Sequence, residues 1–225
     1  MESPSILTPA EAPLDCDKCP RLCAFRHEHA ETEPSWFNGP VPSFGPTTAE
    51  VLIVGLAPGL KGANKTGRPF TGDYAGDLLY ATLSEFGFSK GTYAGHAKDG
   101  LSLSNCMITN AVRCVPPQNK PTPLEIKTCR PFFQSRVETL PNLRVLLALG
   151  RIAHDQTLDT LKARKRDFPF AHGAVHDVSQ TCRSGEIRRL KLIDSFHCSR
   201  YNTNTGRLTA EMFQNVFAKI KELIA

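Results

Sequence analysis

Two short apolar runs constrain the fold more than any other feature of the chain. Val51-Leu52-Ile53-Val54 and the stretch from Arg144 to Gly150 carry no polar residue to turn toward solvent within their centres. As strands they must be covered on both faces, which is the pattern of a parallel sheet between helices. Between and after them the period changes to helical: Ala75, Leu78, Leu79, Leu83 and Phe86 share one face, with Asp73 placed to cap the start. Met107-Ile108-Thr109 with Ala111-Val112 reads as a second strand, and Leu190 to Phe196 as a fourth. Thr122-Pro123-Leu124-Glu125 supplies an N-cap, a proline at N1 and a glutamate at N3. Ile126, Phe133 and Val137 follow on its core face, and Pro131 predicts a kink. A further helix is predicted from Arg151 to about Lys162, and a last one from Thr209, packing through Phe213, Val216, Phe217, Ile220 and Ile224. Strand–helix alternation of this kind predicts an α/β fold with a mainly parallel sheet. Ligands then bind beyond the carboxyl ends of the strands.

At 225 residues the chain is expected to form one domain, 1–225, in which residues 1–50 are a Pro-rich lead-in. A composition 40% hydrophobic and 22% charged excludes a disordered or fibrous chain. The net charge of +5 is compatible with a polyanionic partner without requiring one. Met1–Asp15 has neither a basic start nor an apolar stretch, and the apolar runs are too short to cross a bilayer. The expectation is a cytoplasmic protein with no membrane partner. Thiols stay reduced there, so eight cysteines point toward metal.

Cys16-x-x-Cys19 precedes Pro20, and Cys114 and Cys129 lie far along the chain. Four thiolates suit tetrahedral zinc or an iron–sulfur cluster, and residue types alone do not separate the two. Half-buried thiols beside an accidental CxxC pair are the plainer alternative, and Cys23 is an alternative partner for Cys19. Cys106, Cys182 and Cys198 read as small buried residues.

Three strands end in loops rich in polar residues or glycine. Gly55-Leu56-Ala57-Pro58-Gly59 exposes backbone to a ligand, and the long loop from Lys61 to Asp73 adds Phe70 and a carboxylate. Phe70 offers a face on which a base could stack, or is a core anchor; Asp73 suits both capping and catalysis, and capping is expected to keep it ionised. Asn110, with donor and acceptor together, can read one edge of a pyrimidine. Asn119, after two prolines, is a site residue or a turn residue. His197 sits where it could donate a hydrogen bond to a developing anion. Arg200 and Arg207 could meet phosphates and Tyr201 act as a wedge, whereas Lys162–Arg166 reads as a solvated basic face.

These motifs together resemble the iron–sulfur-containing uracil-DNA glycosylases, most closely their family 5 branch. The resemblance rests on Gly55-Leu56-Ala57-Pro58, on Thr66 through Asp73, on Cys114 through Pro121 and on His197 through Thr209; Cys16-x-x-Cys19-Pro20-Arg21-Leu22 is similar to the family's first ligand pair. It covers nearly the whole chain from Cys16 onward. It implies a four-stranded parallel sheet flanked by helices and a structural [4Fe–4S] cluster on Cys16, Cys19, Cys114 and Cys129. It implies excision of uracil from DNA, double- or single-stranded, by base flipping. No lysine occupies a site position suited to Schiff-base chemistry, so a monofunctional enzyme is expected, and a monomer. Uracil would stack on Phe70, with its polar edge read by Gly55, Leu56, Ala57 and Asn110. His197 would stabilise the departing anion, and Asp73 with Asn119 would place the water. Gly59 stands where this branch usually has alanine, and Asn110 where it often has a smaller residue. The branch implies tolerance of hypoxanthine and other deaminated bases, while Asn110 argues for sharper uracil preference. The competing class is a non-catalytic iron–sulfur module that binds nucleic acid.

Overall fold

The computed structural model describes residues 9–182 and 185–225; the first eight residues of the Met1–Asp15 stretch lie outside them. The helices are α1 (Pro20–Thr32), α2 (Ala63–Thr66), α3 (Tyr74–Glu85), α4 (Pro123–Glu138), α5 (Arg151–Thr160), α6 (Arg200–Asn204) and α7 (Ala210–Ile224). The strands are β1 (Val51–Gly55), β2 (Ser89–Lys90), β3 (Ser102–Leu103), β4 (Cys106–Asn110), β5 (Val145–Leu149), β6 (Val175–Thr181) and β7 (Ile187–Ser195). The main sheet has the order β4-β1-β5-β7-β6. Its first four strands are mutually parallel, as expected, and the fifth, β6, adds an antiparallel edge. That edge strand escapes sequence reading because its inward positions include Gln180 as well as Val178, so polarity hides the period of two.

The apolar runs are sandwiched as their composition demands. Val51 and Ile53 pack into a core with Leu79, Leu83, Phe213 and Phe217, on the side of α3 and α7. Leu52 and Val54 turn to the opposite core, with Phe133, Val137 and Leu158 of α4 and α5. Each large apolar side chain so buried contributes about 1.5–3 kcal/mol. The ladder between β1 and β4 outlasts the strands, since Ala111 N–H and Val112 N–H donate to the Gly55 and Leu56 carbonyls. This carries the register of both chains into the loops beyond.

Side-chain caps fix where α3, α4, α6 and α7 begin. Thr122 and Glu125 close a reciprocal capping box on α4, and Thr209 caps α7. Helix α4 runs on through Pro131 to Glu138. Helix α1, unforeseen in the polar lead-in, starts with Pro20 in its first turn and buries only Leu22 and Arg26. Leu22 seats it against Val112, Phe132, Cys114 and Cys129. None of the described helices is long and apolar enough to cross a membrane.

Candidate active site

The loops leaving β1, β4 and β7 converge at the carboxyl end of the sheet around a cavity of about 610 Å³. Leu56, Ala57, Phe70, Asp73, Asn110, Asn119, His197 and Arg200 all line it. Gly55 lies just behind, paired in register with Asn110. A Cβ at Gly55 would run into the Asn110 side-chain oxygen and come within 2.8 Å of the Phe70 ring. Only glycine lets both side chains approach the strand end.

Phe70 adopts φ 51°, a left-handed conformation that costs a non-glycine residue about 1–2 kcal/mol. Its ring belongs to the core and to the cavity wall at once, so the two alternatives for this residue coincide. It lies 5.8 Å from the His197 ring, at 30°. Asn110 presents a buried side-chain oxygen with no hydrogen-bond donor among the described residues. Buried acceptors are seldom left so, and this one lines a cavity where a ligand N–H could reach it. Asn119 closes a tight turn, Pro117–Asn119, with Gln118 and Asn119 at φ 55° and 57°, and is both turn residue and cavity wall.

Asp73 caps α3 by accepting from Gly76 N–H at 3.1 Å. Its other oxygen lies against the backbone of Gly59 and Gly62, 3.2 and 2.5 Å from where their Cβ atoms would stand. Burial raises the Asp73 pKa, against the pull of the cap N–H groups of Gly76 and Ala75, and Asp77 adds to the rise. Capping thus favours the ionised form, as expected, but burial is the larger cause and the net shift is upward. Burial also pushes His197 down to about 4, which keeps the imidazole neutral near pH 7. A neutral ring still carries one N–H to donate. The His197 carbonyl accepts from Asn202 Nδ2 at 2.8 Å, and Ser199 caps the short helix that follows.

Arg200 stacks on Tyr74 at 5.3 Å, and Tyr201 is 72% exposed at the rim. Arg207 stacks on Phe196 at 4.6 Å and lines a neighbouring cavity of about 600 Å³ that shares Leu56 and His197 with the first. Tyr201 and Arg207 thus stand outside the first cavity. Tyr74 and Ser199 line it without having been singled out in the sequence; their only signal was adjacency to Asp73 and His197. In the Lys162–Arg166 cluster Arg164 and Arg166 share Asp167, and Lys165 shares Asp159 with Arg130, so the exposed face stays net positive.

Cys16, Cys19, Cys114 and Cys129 line a separate small cavity under α1, and Cys23 lines it with them. Burial raises the thiols of Cys19 to about 11 and of Cys114 to about 12, with neighbouring thiols adding to both shifts. Cys129 Sγ accepts from Arg113 N–H at 3.3 Å. Arg26, 3% exposed, donates only to the Leu14 and Cys16 carbonyls and toward Cys23 Sγ, and its Nε has no partner. No carboxylate pairs with it among the described residues. Cys106 and Cys198 are buried elsewhere, as expected, and Cys182 is half-buried. One further cluster, His154, His176 and Asp194, satisfies itself: Asp194 meets His154 Nδ1 at 2.7 Å and His176 Nε2 at 3.2 Å, and Phe168 O takes His154 Nε2.

A family model described as the uracil DNA glycosylase superfamily matches residues 42–221. The Type-5 uracil-DNA glycosylase of Thermus thermophilus is 44% identical over 214 residues, spanning 92% of this chain and 93% of that protein. The Type-5 uracil-DNA glycosylase of Pyrobaculum aerophilum is 34% identical over 92% of this chain and 88% of its own length. The Type-4 uracil-DNA glycosylase of the same organism is 30% identical over 81% and 77%. Matched across most of its length by the family and by type-5 members of it, this chain belongs to the uracil DNA glycosylase superfamily.

Proposed function

We propose that this protein is a DNA repair enzyme that hydrolyses the N-glycosidic bond of uracil in DNA and leaves an abasic site. The observation that carries the reading is a single cavity holding an aromatic face, an orphaned amide oxygen, a half-buried carboxylate and a neutral histidine. Its size suits one flipped base with part of its sugar. Uracil lies against Phe70, and the Asn110 oxygen takes the N–H that uracil carries at ring position 3. Cytosine offers a lone pair there, so the same oxygen repels it. Hypoxanthine offers a ring N–H like that of uracil, so other deaminated bases enter the substrate range.

Bond cleavage leaves an electron-poor sugar and an anionic base. His197 donates to that anion; because the imidazole starts neutral, no proton is lost from solution to prepare it. Asp73, in its ionised form, orients a water toward the anomeric carbon, with Asn119 beside it. Among the described residues no lysine lines the cavity, which fits hydrolysis by water rather than by an enzyme amine. Arg200 and Arg207 engage backbone phosphates, and Tyr201 fills the gap left in a duplex. Single-stranded DNA, which has no such gap, is also a substrate, and the enzyme acts as a monomer.

The donor set under α1 fits a [4Fe–4S] cluster held by Cys16, Cys19, Cys114 and Cys129. Such a cluster carries net negative charge, and Arg26 is a buried cation beside it that lacks a carboxylate and has an unbonded Nε. When bound, the cluster supplies a cross-link that ties α1 to α4 and to the loop after β4; it takes no part in the hydrolysis.

The test is anaerobically purified protein incubated with a labelled duplex containing one uracil. Strand breaks that appear only after alkali are expected. An intact strand after alkali, with enzyme in excess, would contradict the proposal.

A further inference from the structure

Around Phe70 the backbone is held by groups that never reach the cavity. Arg68, buried, forms a two-pronged ion pair with Asp99, at 2.8 and 2.6 Å, and its Nε donates to Thr71 Oγ1 at 2.8 Å. The guanidinium sits against the rings of Phe44, Tyr80 and Tyr93, at 5.1, 5.3 and 5.7 Å. The Tyr80 hydroxyl donates to Pro69 O at 2.7 Å, and the Tyr93 hydroxyl accepts from Gly72 N–H at 3.1 Å. Asp99 is itself fixed by N–H groups of Ala94 and Leu101, both at 3.0 Å. A Cβ at Gly76 would strike the Phe70 carbonyl and stand 2.7 Å from the Tyr93 hydroxyl.

Each residue flanking Phe70 is therefore tethered, while Phe70 itself holds a left-handed backbone. Strained conformations persist only where the surroundings over-determine them. A buried ion pair is weak evidence for stability, since desolvation offsets much of its attraction. Its geometric precision is the better account of why this one stands here.

We infer that Arg68, Tyr93 and Asp99 are positioning residues for base excision: Tyr93 and Asp99, from the segment between β2 and β3, brace the loop through Arg68 and Gly72 and so set the Phe70 ring and the Asp73 carboxylate. The inference rests on the excision reading above. None of the three lines the cavity, so each acts through the loop it holds.

The test compares single-turnover excision of uracil and of 5-fluorouracil from otherwise identical DNA by wild type, Tyr93→Phe and Asp99→Asn. Fluorine is close to hydrogen in size but makes the departing anion more stable. Misplaced catalytic groups therefore slow uracil more than 5-fluorouracil. We expect uracil excision to fall by roughly tenfold to a hundredfold. The ratio of the 5-fluorouracil rate to the uracil rate should rise severalfold. A purely structural loss lowers both rates together and leaves the ratio fixed, whatever fraction of the protein is folded. An unchanged ratio in Tyr93→Phe, which removes one hydroxyl, overturns the inference even if Asp99→Asn fails to fold. Wild type inert on both substrates would instead overturn the excision reading.

Discussion

His197 and Asp73 are both driven by burial toward their neutral forms, with opposite consequences for pH. Unfolded, His197 titrates near the ordinary histidine value, and folded it is pushed down to about 4. The unfolded chain therefore binds the extra proton first, so its neutral form stabilises the fold above pH 6.5 and that contribution drains away as pH falls toward 4. By pH 5 the loss is roughly 2 kcal/mol. Urea unfolding of His197→Gln at pH 7 and pH 5 should show a smaller drop than wild type; an equal drop would mean the histidine is not desolvated. Asp73 rests against two glycines at different clearances. Gly62→Ala should lower excision by more than tenfold, because a methyl group 2.5 Å from the carboxylate oxygen must displace it. Gly59→Ala, at 3.2 Å, should cost little. Rates measured under single turnover separate the two, and equal effects would contradict this packing. Asp73 is legible in the sequence because a capping carboxylate announces itself. The orphaned Asn110 oxygen is not, because it depends on the register that sets Gly55 beside it.

Among elements, the strand ends and helix starts carry the site, and both have local chemistry that a sequence displays. Thr122 and Glu125 satisfy each other's backbone across the first turn of α4. Thr122→Ala should cost about 1 kcal/mol in chemical denaturation; no change would show that Glu125 alone holds this start. Elements built from distant partners stay hidden. Strand β6 declares itself only through its pairing with β7, and α1 only through Leu22 docked on residues far along the chain. The brace on Phe70 is hidden in the same way, since Asp99 reaches Arg68 from 31 residues away.

At the scale of the whole molecule, the cavity opens at the carboxyl end of the sheet beside an exposed Tyr201 and two ring-stacked arginines, Arg200 and Arg207. A duplex must have its gap filled when a base leaves it, and a single strand need not. Tyr201→Ala should therefore slow excision from a duplex several times more than from a single strand. Equal losses would remove the wedge role. The fold class was legible because a buried parallel sheet leaves unbroken apolar runs in the sequence. The five-stranded extent of the sheet was not, because its edge is half polar.

The central claim is that the neutral His197 stabilises the departing base within this cavity. Single-turnover excision of uracil by His197→Ala, set beside its affinity for the same DNA, tests it most directly. Loss of such a donor costs about 3 kcal/mol, so the rate should fall by roughly 100-fold or more while DNA affinity holds. An unchanged rate at unchanged affinity would contradict the account.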